Sequence, residues 1–223
     1  MLLLLSFLYL AVFAAVMGGI LFVSAGRTDL PMFWVYIIVL MVPCLIAVAI
    51  IYLRNPDLLQ ERFRPGERSQ DRLTVPAVLG FFLAHWIIAG LDVGRYHWSG
   101  SVPFIIQIVG LIGYGCAIVL QAWSVIVNRF YSSAVRVQAD RAQAVITTGP
   151  YRFVRHPGYI GGILYLVFSG IALGSWLSVL PTLLPAAVII RRTVIEDRML
   201  QGSLAGYADY AQKVRYRLIP GLW

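Results

Sequence analysis

Residues 103–127 read PFIIQIVGLIGYGCAIVLQAWSVIV, a run of twenty-five positions without one Asp, Glu, Lys or Arg. A helix needs about twenty mostly apolar residues to cross a hydrocarbon core roughly 30 Å thick, so this stretch predicts a membrane span. Upstream, Leu2–Val23, Phe33–Leu53 and Thr74–Leu91 have the same character and bring the number of clear spans to four. Downstream, Gly158–Leu173 and Trp176–Ile190 are shorter and separated only by Gly174 and Ser175, which predicts a tight or tilted helical hairpin. The fold class that follows is all-α: a polytopic transmembrane bundle of five to six spans, with a cytoplasmic helical segment at the C-terminal end. Residues 1–127 form the four-span region and residues 128–223 the polar, motif-dense region of one integrated domain.

Composition agrees with membrane embedding. Hydrophobic residues make up 60% of the chain, charged residues only 13%, and the mean hydropathy is +0.79, against roughly 25% charged residues in soluble domains. The first segment lacks a basic leader and a small-residue cleavage site, and is expected to be a retained span rather than a signal peptide. The excess of 18 Lys and Arg over 10 Asp and Glu is explained by topology and needs no nucleic-acid partner. With a cytoplasmic N-terminus, sixteen of the eighteen basic residues fall on the inner side and only Arg27 and Arg95 outside, as the positive-inside rule requires. Both termini are then cytoplasmic, in a cell inner membrane. Cys44 and Cys116 fall inside spans, where they are expected to pack as small apolar side chains.

The loops carry little chemistry. Arg54–Leu73 mixes charges of both signs around Pro56, Pro65 and Gly66, and reads as a solvated turn with a short interfacial helix. Tyr96, His97 and Trp98 form an outer interfacial anchor. His85, inside the third span, must find a polar partner within the bundle. Gly110, Gly113 and Gly115 give the fourth span a surface for close helix approach.

No dinucleotide-binding G-x-G-x-x-G after a strand, phosphate-binding loop, C-x-x-C, H-E-x-x-H or G-x-S-x-G is present. Only three histidines occur, at different expected depths, so no metal site is expected. The functional argument rests on Thr147–Gly162, TTGPYRFVRHPGYIGG. Pro157 disfavours helix at His156 and suits the first turn of the helix that follows. A helix N-terminus beside Arg152 and Arg155 is a seat for an anionic group, and Gly158, Gly161 and Gly162 allow a flat ligand to approach. The plain alternative has both arginines reaching lipid phosphates and the glycines packing helices. Glu196, followed by Asp197, is placed either to pair with Arg192 one turn earlier or to capture a ligand ammonium. Tyr207 and Tyr210 share a helix face, and Val214–Pro220 mixes basic and apolar residues as an interfacial lid would.

Gly149-Pro150-Tyr151, Arg155-His156-Pro157, Tyr159 and Gly161, followed by Glu196, Tyr207 and Tyr210, resemble the isoprenylcysteine carboxyl methyltransferase and phospholipid methyltransferase group over roughly Asn128–Trp223. The resemblance implies an integral membrane enzyme using S-adenosylmethionine at the cytoplasmic face. It assigns His156, Tyr159, Gly161 and Glu196 to the cofactor pocket, implicates Arg155 in activity, and makes Tyr151, Pro157, Tyr207 and Tyr210 further pocket candidates. Arg155, His156 and Glu196 are the catalytic candidates. Many relatives have a histidine where this chain has Gln143. The acceptor is expected to be a lipophilic carboxylate, amine or hydroxyl compound arriving through the membrane lipid. Two alternatives stay open: an NADPH-dependent reductase, because the tail also resembles that of membrane sterol reductases, and a noncatalytic membrane scaffold or lipid-binding protein.

Overall fold

The computed structural model describes residues 1–63, 74–132 and 135–223, and among them every regular element is helical. Helix α1 spans Leu2–Ala25 and α2 spans Pro31–Arg54. Between them Gly26, at φ 72°, ends α1 in the left-handed conformation and donates its N–H to the carbonyls of Phe22 and Val23, a geometry glycine adopts without Cβ strain. Arg95 caps the same helix end from outside, donating to the carbonyl oxygens of Ser24 and Val23.

A short α3, Pro56–Phe63, follows at once. It sits where an interfacial helix was expected, but it is docked rather than solvated, because Leu58 and Leu59 are buried against Ile51 and Val125. Residues 64–73, including Arg64, Pro65, Gly66, Arg68 and Arg72, lie outside the described residues. Helix α4, Thr74–Leu91, ends in a widened turn over Asp92–Tyr96, and α5 covers Phe104–Val127. Helix α6, Pro157–Leu173, stops at Gly174, φ 85°; a 3₁₀ turn over Leu177–Thr182 then leads into α7, Leu183–Ser203. The last helix, α8, is Tyr207–Lys213.

Among the described residues, five segments are long and apolar enough to cross a membrane: α1, α2, Pro76–Tyr96, α5 and Leu177–Ser203, with α6 shorter. The protein is therefore an integral, multi-pass membrane protein. Two buried carboxylates show how far the hairpin reaches. Helix α6 begins at His156, beside Asp197, and at its far end Ser175 donates to Asp92 at 2.5 Å. The chain then returns through α7 to Asp197, so both arms of the hairpin run the same depth.

The N-terminal spans and the hairpin share one core. Met17, Phe33, Tyr36, Trp86, Tyr114, Leu173 and Ile189 belong to a single buried cluster. Close approach of α5 and α6 depends on glycine. A Cβ on Gly110 would lie 2.9 Å from the backbone N of Ala172, and one on Gly113 would lie 2.7 Å from the Phe168 ring. His85 is satisfied within the bundle, its ring nitrogens 2.9 Å from the Ser178 carbonyl oxygen and 2.7 Å from Ser169 Oγ. This packing sets the α6 entrance and the last turns of α7 beside the end of α5.

Candidate active site

A cleft of about 770 Å³ of empty space, its open mouth included, lies where α5 ends and α6 begins. The described residues lining it include Phe130 and Tyr131 after α5, Gln143–Ile146, Tyr151, the Arg155–His156 turn, Glu196 and the α8 tyrosines. One wall is polar and aromatic, and Val145, Ile146, Leu200 and Leu204 supply an apolar one.

The 3₁₀ turn over Gly149–Arg152 enters this region. Gly149 adopts φ 58° against Val127 and Trp123 of α5. Tyr151 is thereby buried, its hydroxyl accepting from Asn128 Nδ2 at 3.1 Å and its carbonyl accepting from the Tyr210 hydroxyl at 2.6 Å. Burial pushes the phenols of Tyr151, Tyr207 and Tyr210 up, so they act as neutral donors. For Tyr207 the adjacent Asp197 charge adds to the shift.

Pro157 occupies the first turn of α6, with His156 as its N-cap. The His156 ring stacks on Tyr159, centroids 5.6 Å apart and planes at 10°. Tyr159 donates its hydroxyl to Glu196 and accepts from Arg192 Nε at 2.7 Å. Arg192 is 3.9 Å from Glu196, so the expected helical pair exists with the Tyr159 hydroxyl bonded to both partners. Glu196 keeps 24% of its side chain exposed, at the cleft.

Arg155 lines the cleft, but each of its three nitrogens is engaged inside the protein. Nη1 donates to the carbonyl oxygens of Ala211, Val214 and Arg215, and Nη2 donates to Asp197 Oδ2 at 3.2 Å. Nε stands 2.8 Å from Asp197 Oδ1 as an ionic contact, without hydrogen-bond alignment. The backbone N–H groups of Arg155 and His156 donate to Tyr216 and Arg217. The expected seat for a ligand anion is thus occupied by the protein's own C-terminal segment. Arg152 is exposed, with its guanidinium over Phe153.

The glycines divide by role. Gly158 lines the cleft, where a Cβ would come 2.8 Å from the Tyr131 ring. Gly161 faces α5 instead, with a Cβ position 2.9 Å from the Ala117 carbonyl oxygen. Gly162 has only distant neighbours, Ile189 at 3.8 Å and Gln121 at 4.0 Å.

Sequence reasoning passed over Asp197. Its side chain is fully buried and gathers Arg155, Tyr207 at 3.0 Å, Gln201 at 2.8 Å and Arg217 at 2.8 Å. The signal was present: consecutive residues on a helix point about 100° apart, so with Glu196 at the cleft Asp197 must face inward, where it needs cations. Gln143 lines the cleft and accepts from the Gln138 backbone N–H at 2.7 Å, which braces the loop rather than leaving the amide free. Arg136, also lining, pairs with Glu61 of α3 at 2.6 Å and Asp140 at 2.9 Å.

The comparisons bear on this same region. Residues 105–205 match the family model described as phospholipid methyltransferase. The chain is 28% identical over 131 residues to the cobalt-zinc-cadmium resistance protein CzcN of Cupriavidus metallidurans, covering 57% of this chain and 56% of that protein. It is 29% identical over 125 residues to a probable protein-S-isoprenylcysteine O-methyltransferase of Oryza sativa subsp. indica, covering 55% of this chain and 62% of that protein. The matched stretch is thus less than two thirds of the length of these curated relatives. The solved structure of the eukaryotic intramembrane Ras methyltransferase ICMT superposes with a TM-score of 0.63 at 20% identity. That superposition covers 93% of this chain and 75% of that one, and shows a shared fold. The motifs around the cleft fall within or just beyond residues 105–205, the stretch that is similar to the phospholipid methyltransferase family.

Proposed function

We propose that the protein is an S-adenosylmethionine-dependent methyltransferase whose acceptor is a lipophilic molecule arriving through the bilayer. The observation that carries this reading is Glu196, a partly exposed carboxylate held at the cleft by Tyr159 and Arg192. A fixed carboxylate beside aromatic rings suits a cationic ligand, and S-adenosylmethionine is cationic at both its ammonium and its sulfonium. The cleft residues also suit its purine: Gly158 keeps backbone close to Tyr131 without an intervening Cβ, and Phe130, Val145 and Leu204 offer apolar contact. When bound, the cofactor supplies an electrophilic methyl group.

The chain's own residues then act by binding, orienting and drying. Glu196 would hold the ammonium, and Tyr159, stacked with His156 and bonded to Glu196, would keep that carboxylate in place. Tyr151, Tyr207 and Tyr210, all buried, close the inner wall against water. Methyl transfer needs chiefly alignment and desolvation, and good alignment alone is worth several kcal/mol. Residues 1–127 serve as the four-span support and residues 128–223 as the cofactor-binding and catalytic region. With the cleft on the cytoplasmic side of the inner membrane, a charged methyl donor enters from water and the acceptor sideways from lipid.

Purified protein incubated with methyl-labelled S-adenosylmethionine and a native lipid extract is expected to transfer label to an organic-soluble product. Glu196→Gln is expected to lower that transfer at least about tenfold, roughly 1.4 kcal/mol. Label transfer unaffected by Glu196→Gln would remove the role given to Glu196.

A further inference from the structure

Two stretches on the cleft side of the bundle, residues 141–157 and residues 210–223, contain no Asp or Glu. Arg155 and Arg217 within them are spent on Asp197, and Arg141 bonds Gln138 and the Arg129 carbonyl oxygen. Arg152, Lys213 and Arg215 are exposed instead. Asp209, one turn before Lys213 on α8, offsets only one of these three charges. Large apolar side chains share the same stretches: Phe153 is 62% exposed, beneath the Arg152 guanidinium, and Tyr216 and Ile219 are exposed as well.

The depth of this surface follows from α5. Gly149 packs on the end of that span, where its Cβ position is 3.0 Å from Val127 Cγ2 and 3.3 Å from Trp123 Nε1. Trp123 is itself exposed, and an indole at the end of a span marks the membrane–water boundary. Phe153 follows that turn directly, and Pro157 then opens α6. The Arg155 and His156 amides donate to the Tyr216 and Arg217 carbonyl oxygens at 3.0 Å each, so the C-terminal segment crosses at the same level. Exposed cations and apolar side chains therefore meet where hydrocarbon gives way to headgroups.

We propose that Arg152, Phe153 and the Lys213–Ile219 stretch form a docking surface for anionic phospholipid of the adjoining leaflet, and that lipid bound there holds the C-terminal segment against the cleft residues. Headgroup phosphates accept from the three cations while Phe153, Tyr216 and Ile219 bury apolar surface between the lipids. Each basic side chain near an anionic surface contributes about a fivefold preference for it. The other edge of the segment is fastened to the site. Arg155 Nη1 donates to the Ala211, Val214 and Arg215 carbonyl oxygens, and Arg217 Nε donates to Asp197 at 2.8 Å. Lipid that binds only the docked segment stabilises the docked state, and with it Arg155 and His156 of the cleft, whatever ligand the cleft takes.

The test is amide hydrogen exchange, read by mass spectrometry on purified protein in nanodiscs of phosphatidylcholine alone or with phosphatidylglycerol. Peptides containing Arg155-His156 and Lys213–Leu218 are expected to exchange at least about tenfold more slowly in the anionic discs. High salt, which screens exposed charges, is expected to erase the difference, as is the combined Arg152→Gln, Lys213→Gln and Arg215→Gln variant. The salt arm uses the unsubstituted protein, so it decides even if that variant does not fold. Equal exchange in the two lipids would overturn the proposal, as would a difference that persists in high salt or in the folded variant. The same slowing by soluble glycerol phosphate in phosphatidylcholine discs would assign the cations to a free phosphate and overturn it. Protection found only in discs carrying two chains would give the surface to a second copy and overturn it too.

Discussion

Single residues in this protein often do something other than what their type announces. Gly161 looks like a ligand-approach glycine in a glycine-rich motif, yet its Cβ position faces the Ala117 carbonyl and Gln121 of α5. Gly161→Ala therefore forces two packed helices apart, with an expected loss of about 1–3 kcal/mol, read as a lower thermal midpoint in detergent. An unchanged midpoint would remove the glycine from the helix interface. Arg155 likewise reads as a free cation at a helix entrance but is spent on Asp197 and three carbonyls, so its substitution disturbs the C-terminal segment as well as the cleft. Glu196 lines the cleft, and its pairing with Arg192 was legible from the one-turn spacing. Asp197 was not, because its meaning depends on which way α7 faces, and a single sequence contains that only as a 100° offset from a neighbour.

At the scale of elements, the C-terminal tail changes most between sequence and structure. Its mixture of basic and apolar residues reads as a lid, but it is a strap. The Arg155 and His156 amides donate to Tyr216 and Arg217, Arg217 bonds Asp197, and Leu218 is buried. The two amide pairings join residues 61 positions apart, which local periodicity cannot reveal. Arg217→Ala removes one of the two arginines that neutralise a fully buried carboxylate, and hydrogen bonds to charged groups are worth about 1.5–3 kcal/mol. Limited trypsinolysis at Lys213 and Arg215 is expected to quicken at least about tenfold in that variant; equal rates would show that the strap is held without Asp197. The spans, by contrast, were readable almost to the residue, since apolar length alone sets them. The hairpin was also readable, although Ser175 and Pro181 shape its return as a 3₁₀ turn rather than a direct helix start.

Across the whole molecule, the N-terminal spans and the C-terminal hairpin share one core, and the cleft sits at one end of it. The α3 helix reaches the same region through the Glu61–Arg136 pair, so the first loop braces an arginine that lines the cleft. Hydropathy indicated the spans, and the Thr147–Gly162 motif lies at the end of the bundle that carries the cleft. The shape of the cleft had to come from packing. The central claim is that Glu196 at this cleft holds S-adenosylmethionine. Calorimetric titration of purified protein with S-adenosylhomocysteine, the demethylated product, tests it most directly. The account predicts one site per chain, binding weakened at least about tenfold in Glu196→Gln, and no heat from NADPH. Binding of NADPH with none of S-adenosylhomocysteine or S-adenosylmethionine would contradict it.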